Sequence, residues 1–592
     1  MDFTSSSYDE TIQTRSNLVP SDNMVNYTDG QTIKFHIPKS SHPFIDPRGT
    51  FLRFKVQVKN AHTLPTFSKK CGGHSLINNI RVYTEDGNTQ LETIMNYAEL
   101  AEKLHYYSEN SSIRNKRALL ELLEPTSRSF DGDDYDNLPA RNTPNSQLYN
   151  HPYKTGAGTF AVNADYTAEG NVVECCLRLY SGILGEPSTK VFNNILCGLM
   201  VEIDLNSAGK VLELWTAEGI CNNDGTIADN IGDNNSCRFG ICASAGGAGA
   251  LSSLKLYTEV QAGYTQATFQ GNSNPSQASI TNGMRLVKNG LCGAVNLRVG
   301  QTLFGFKNDG TLTRIGDIAS VSCNANENAG GLMATTLTFN NLEAGLTGND
   351  FRGGSGFEGD GTTEGDPENN TCFIKRDDIF GGASPTLNIT DVELCVKSVN
   401  PPKDYVEKVL KQASTEEGMN VDVITSSVFR NNVEPSEKVA QLNIPALNQR
   451  ALSVFTLPIA NGEAHNQQYN NLDTHTDSAN SYQFVINGKY QPTREVDLVP
   501  LQNDFTSQVN LWETEKALAS SKTIVRNLEN NKRNFMFSRA LGRYSGVYPL
   551  VKDGSLSLKI NYDNPVKSKN MVSYIIGIRR FNFSSTGVKV EM

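Results

Sequence analysis

Apolar residues at every second position constrain this 592-residue chain more than any motif does. In Phe51–Val58, Leu52, Phe54, Val56 and Val58 point one way, and Phe51, Arg53, Lys55 and Gln57 the other. A period of two belongs to an extended strand with one buried face. The pattern returns in Val173–Leu179, Leu199–Leu205, Leu556–Tyr562 and Val572–Ile578. Strands of this kind build antiparallel sandwiches or barrels, whereas parallel α/β sheets show continuous apolar strands alternating with helices. Helical patterns are few. Asn96–His105 puts Tyr97, Leu100, Ala101 and Leu104 on one stripe, and Ala118–Glu124 follows. Lys403–Ala413 comes after Pro401-Pro402, and a fourth helix is expected through Leu511–Ala519. The fold class expected is all-β with a few short connecting helices.

Composition then divides the chain. Its length allows roughly three to five domains and large cores. Residues 216–385 carry 28 of the 49 glycines, with much Asn, Ser and Thr, which predicts turns and long loops around short strands such as Leu254–Val260 and Leu337–Phe339. The clearer strands flank this stretch, over 29–215 and 386–592. Residues 1–28 are polar and read as an N-terminal arm.

Charge and cysteine content exclude several classes. With 53 basic and 63 acidic side chains the net charge is −10, so nothing draws the whole chain to nucleic acid. The longest apolar run, of about eight residues at Met571–Ile578, is far short of a membrane-spanning helix, which predicts no transmembrane segment. The first residues lack a basic and apolar leader, so export through a signal peptide is not expected. None of the eleven cysteines lies in a Cys-x-x-Cys pair. They read as small buried apolar groups in a reducing compartment. Cys175 and Cys176 would point to opposite faces of a strand. The sequons at Asn26, Asn110, Asn388 and Asn582 read as chance matches.

Candidate chemistry is thin. Phosphate-loop, zincin and nucleophile-elbow signatures do not occur. Gly246-Gly247-Ala248-Gly249 lacks the strand–Gly–helix setting of a phosphate cradle. His465 and His475 share a polar loop with Asp473 and Asp477 and read as hydrated. The acidic groups Asp131, Asp133, Asp134, Asp136 and Glu358, Asp360, Glu364, Asp366 lack the spacing of a calcium hand and read as solvated turns. Basic residues gather at Arg114, Lys116, Arg117 and at Lys522, Arg526, Lys532, Arg533, Arg539, Arg543. These read as solvated or subunit-contacting faces, with Phe535 and Phe537 as strand core. The chain is therefore expected to be no enzyme, with no catalytic, metal-ligating or cofactor-binding residue.

The order of features carries more than any single string. Thr32–His36 precedes Phe51–Val58, followed by His74–Tyr83, a turn at Asp86-Gly87, and Leu91–Tyr97. Leu179–Gly185 and Leu199–Leu205 come next, and Ile389–Val396 closes a unit. The second half holds Phe484–Pro492, Phe537–Arg543, Ser545-Gly546-Val547 and a last strand pair through Val590. In this order the chain resembles the double jelly-roll major capsid proteins of eukaryotic double-stranded DNA viruses, most of all the polinton-like virus and virophage group. The resemblance covers 29–215 and 386–592.

The resemblance implies a first jelly roll over 29–400, interrupted by an insertion at 216–385 between its late strands, and a second over 401–592. It also implies a homotrimer forming a pseudo-hexameric capsomer. Such capsomers tile an icosahedral shell beside neighbouring capsomers, penton and minor capsid proteins, with no specific nucleic-acid recognition. The place of action would be the virion, assembled inside the host cell. The insertion would project outward, and the arm 1–28 and the end near Met592 would lie towards the interior or a neighbouring subunit. The rival reading is a glycan- or ligand-binding β-sandwich protein.

Overall fold

In the computed structural model the described residues are 13–59, 65–67, 71–123, 172–185, 190–214, 220–221, 239–245, 253–258, 302–306, 312–324, 334–346, 371–375, 386–434, 437–445, 449–460, 474, 476, 478–502, 507–526, 534–541, 548–550, 555–563, 569–585 and 587–591. The alternating segments are strands. The first set is β1 (Gln13–Pro20), β2 (Asn26–Thr28), β3 (Thr32–Ile37), β4 (Phe51–Lys59), β5 (Ile77–Thr84), β6 (Gln90–Ile94), β7 (Val173–Leu177), β8 (Leu199–Leu205) and β9 (Thr386–Asn400). They form two antiparallel sheets, in the orders β1-β9-β4-β7 and β3-β8-β5-β6, with β2 also pairing β9. Leu52, Phe54, Val56 and Val58 of β4 face Ile33, Phe35, Val201 and Ile203 of the other sheet in one core, all at most 1% exposed.

The second set is β10 (Met419–Val433), β11 (Val439–Ile444), β12 (Gln449–Ala460), β13 (Ala479–Ile486), β14 (Lys489–Asp497), β15 (Phe537–Ala540), β16 (Leu556–Tyr562) and β17 (Lys569–Ser584). Their sheets run β10-β17-β12-β15 and β11-β16-β13-β14. Short strands Tyr548–Leu550 and Gly587–Glu591 pair β12 and β17. Asn487 and Gly488, both at positive φ, form the two-residue turn between β13 and β14. That geometry matches strand twist and favours an Asn-Gly pair.

Taking β1 and β2 together, both sets share one topology. The first, eighth, third and sixth strands make one sheet, and the second, seventh, fourth and fifth make the other. Eight strands in two sheets with this crossing order are a jelly roll, and the chain holds two. Between β8 and β9, strands including Phe239–Ala245, Leu312–Asn324 and Ala334–Asn340 form a separate seven-stranded sheet. A long connection between two strands adds little closure entropy, so the roll tolerates it.

Residues 13–28 correct the expectation of an arm. β1 pairs β9 along its whole length, from Gln13 against Asn400 to Pro20 against Glu393. Val19 and Tyr27 are buried. The segment looked polar because an edge strand hides little of itself; Leu18 is 54% exposed.

Candidate functional site: the junction of the two rolls

Among the described residues, four helices of more than two turns sit at strand connections: α1 (Tyr97–Ser108), α2 (Ser111–Glu121), α3 (Lys403–Ala413) and α4 (Gln508–Ser520). α1 and α2 follow the fifth strand of the first roll, and α4 follows the fifth of the second. Asn110 caps α2 by accepting from the Ile113 amide at 3.0 Å. That cap starts α2 earlier than the expected Ala118.

The second roll packs its β10–β17–β12 sheet against the first roll. Phe455 and Leu457 of β12, with Val572, Tyr574 and Ile576 of β17, join the first roll's core. Val454 and Ile575 on the same strands turn into the second core. The sheet is therefore buried on both faces, which corrects the one-face reading of Val572–Ile578: Val572, Tyr574 and Ile576 meet the first core, and Met571 and Ile575 the second. Its counterpart in the first roll is one-sided, and Arg53, Lys55, Glu174, Asp391 and Glu393 pair across its outer surface.

Polar contacts complete the junction. Glu92 on β6 accepts from Thr425 Oγ1 at 2.7 Å, from the Gly182 amide at 2.8 Å and from Ser181 Oγ. Arg579 donates to the Leu91 carbonyl at 2.8 Å, and burial pulls its pKa down against the pull of Glu92. Tyr574 donates to the Asn96 carbonyl at 2.9 Å, and Tyr107 to the Asn534 carbonyl at 2.9 Å. Lys103, fully buried, pairs with Glu102 at 2.6 Å and reaches Asn534 Oδ1 at 3.4 Å. A buried charge without such partners would cost several kcal/mol.

Behind α1 lies a buried ionic cluster. His74, His105 and Glu121 each offer a donor atom within 4.8 Å of the others, a spacing suited to a metal ion. The Arg117 guanidinium takes the cationic role there. It bonds Glu109 and Glu121 and donates to His105 Nε2 at 2.6 Å. His105 Nε2 is thereby an acceptor, which assigns the ring proton to Nδ1, 3.0 Å from both Glu109 and Tyr180. The Tyr180 amide donates to Tyr97 Oη at 3.1 Å, Tyr97 faces His74 Nδ1 at 3.0 Å, and His74 Nε2 faces Glu121 at 3.3 Å.

Burial alone would raise the Glu121 pKa, but the His74 hydrogen bond and the His74 and Arg117 charges hold it well below the carboxylate range. Burial, then the Arg117 charge, pushes His105 well below the usual imidazole value. Burial raises the Glu109 carboxyl against the pull of Arg117. The Cys71 and Cys175 thiols nearby are pushed well up by burial, so they behave as inert apolar groups.

The structure scatters the residues singled out in the sequence. Arg117, read as part of a solvated or subunit face, is instead spent inside the first roll. Arg539 pairs with Glu513 at 2.6 Å, and Arg526 donates to the Ser108 carbonyl at 3.0 Å. Phe535 and Phe537 lie in the second core, 4.7 Å apart by ring centroid. Cys175 is buried and Cys176 half-buried, on opposite faces of β7. His465, His475, Asp473, Asp477, Asp131, Asp133, Asp134, Asp136, Glu358, Asp360, Glu364, Asp366, Gly246–Gly249, Lys532, Arg533 and Arg543 lie outside the described residues, as does the Lys116 side chain. Among the described residues no helix is long and apolar enough to cross a membrane.

Two like jelly rolls joined through one apolar junction define a double jelly-roll protein. No family model matches the chain, and no curated protein does. Solved structures similar to it include PBCV-1 VP54 fitted into a cryo-EM reconstruction of the virophage Sputnik, at 6% identity, 99% coverage of either chain and a TM-score of 0.42. The Sputnik virophage structure itself is similar at 10% identity over 98% of this chain and 88% of that one, with a TM-score of 0.41. The Faustovirus major capsid protein is similar at 9% identity over 99% and 93%, with a TM-score of 0.41.

Proposed function

We propose that this chain is a structural building block, the major capsid protein of an icosahedral virus shell. One observation carries the reading: two rolls of identical strand order are locked side by side through a two-sided buried sheet. Jelly rolls recur in viral capsids as stiff, closed sandwiches. A rigid pair presents two similar tiles, so three chains supply six around an axis. A pocket enzyme or an exported lectin has no need of a duplicated roll.

On this reading the chain is a homotrimer in a pseudo-hexameric capsomer, meeting neighbouring capsomers, penton and minor capsid proteins in the virion. The rolls divide near residue 400, and the insertion at 216–385 faces outward. Obligate contacts of this kind bury more than about 2,000 Å². Native mass measurement of the purified chain should give three times 64.8 kDa, and electron microscopy should show shells or capsomer arrays. A stable monomer with sugar-dependent binding would overturn the reading.

A further inference from the structure

Between the rolls runs a cleft of about 580 Å³, lined by α1, α2, the segment Ser521–Arg526 after α4 and strands of both rolls. That volume lies in the range of ligand-binding pockets. Its floor is apolar, with Leu100, Leu104 and Ile576 nearly buried. Two apolar side chains stand uncovered at its walls: Leu120, 52% exposed, and Ile524, 65% exposed. Exposed apolar groups gathered at a concave site mark an interaction surface better than the same residues scattered singly.

The charges are one-sided. Arg48, Arg178, Lys522 and Arg526 line the cleft and are exposed. The three carboxylates in the lining, Glu92, Glu109 and Glu121, are buried or nearly so and already engaged by Thr425, Gly182, Ser181 and Arg117. Among the described residues Arg178 and Lys522 have no carboxylate partner. The cleft is thus cationic in a chain whose net charge is −10. Low-dielectric walls focus such a field on whatever enters.

We propose that this cleft is a docking site for an acidic segment of a partner protein, with apolar side chains on the floor and carboxylates on the rim cations. Arginine clusters recognise acidic motifs through charge-assisted bonds. The apolar floor favours a peptide over a nucleic-acid backbone, which brings phosphates but no aliphatic side chain. The concave shape disfavours a lipid surface, which needs projecting groups.

The test uses the purified full chain and a short, end-capped, fluorescent peptide alternating aspartate with leucine, read by polarisation. The peptide should bind, and more weakly as salt rises. Arg178→Glu with Lys522→Glu should weaken it about tenfold or more, and Leu120→Ser by a similar factor, with an unchanged unfolding midpoint in each. Should the charge reversals disturb folding, Arg178→Gln with Lys522→Gln gives the same reading with a smaller change. Absence of binding would overturn the proposal, because the cleft would then be closed or filled by the chain itself. Binding that ignores all these substitutions would overturn it too. Oligothymidylate binding as tightly as the peptide would reassign the cleft to phosphate. Native mass reads assembly separately, so the two proposals fail independently.

Discussion

At Arg117 a largely covered guanidinium, held between Glu109 and Glu121, also donates to His105 across 2.6 Å. His105 cannot take a second proton without placing two cations together away from water. Its folded pKa therefore lies below its unfolded value of 6.5. The unfolded state binds the extra proton, so the stabilisation is full above about pH 6.5 and is lost as pH falls below it. The slope reaches about 1.4 kcal/mol per pH unit for one proton. Glu109, raised by burial, acts in the opposite sense above about pH 4.5. Comparison with His105→Gln isolates the histidine contribution. The wild-type unfolding midpoint should fall more steeply between pH 6.5 and 5 than that of the variant. Equal slopes would mean that His105 does not titrate against Arg117.

At the scale of elements, the loop after β7 meets β10 with no room to spare. A Cβ on Gly182 would stand 2.2 Å from the Ile424 carbonyl oxygen and 3.3 Å from Glu92 Oε1. Gly182→Ala must push the second roll's sheet away from β6 and stretch the Glu92–Thr425 bond. Overpacking of this kind costs about 1–3 kcal/mol. Chemical denaturation should show a midpoint lowered by about that amount. An unchanged midpoint for Gly182→Ala would show that the rolls do not touch there.

For the whole molecule, the first core continues into the second roll without a break. The two rolls should then unfold together, although the chain is long enough for separate domains. Calorimetry should show one main transition for them. Tyr574→Ala removes the contact with Phe455 at 5.4 Å and the bond to Asn96. It should cost about 3–5 kcal/mol and split the transition, as the second roll loses its hold on the first. Two separate transitions in the wild type would mean that the junction adds little.

The alternation in Phe51–Val58 and Leu199–Leu205 determined by itself that these segments are strands with one buried face, because side chains of an extended chain alternate regardless of what they meet. Pro401-Pro402 likewise placed the start of α3 at Lys403. Val572–Ile578 carries the same period-two alternation and reads as one buried face, and only its packing between the two cores buries the other face as well. Tertiary structure alone decided the rest. β9 finds β4 across more than three hundred residues, and no local pattern specifies such a partner. The same nonlocality made an edge strand of the polar residues 13–20. It also turned Arg117 from a surface charge into the centre of a buried cluster. A charge is solvated or buried according to its neighbours in space, and those neighbours come from the packing of sheets rather than from adjacent positions in the chain.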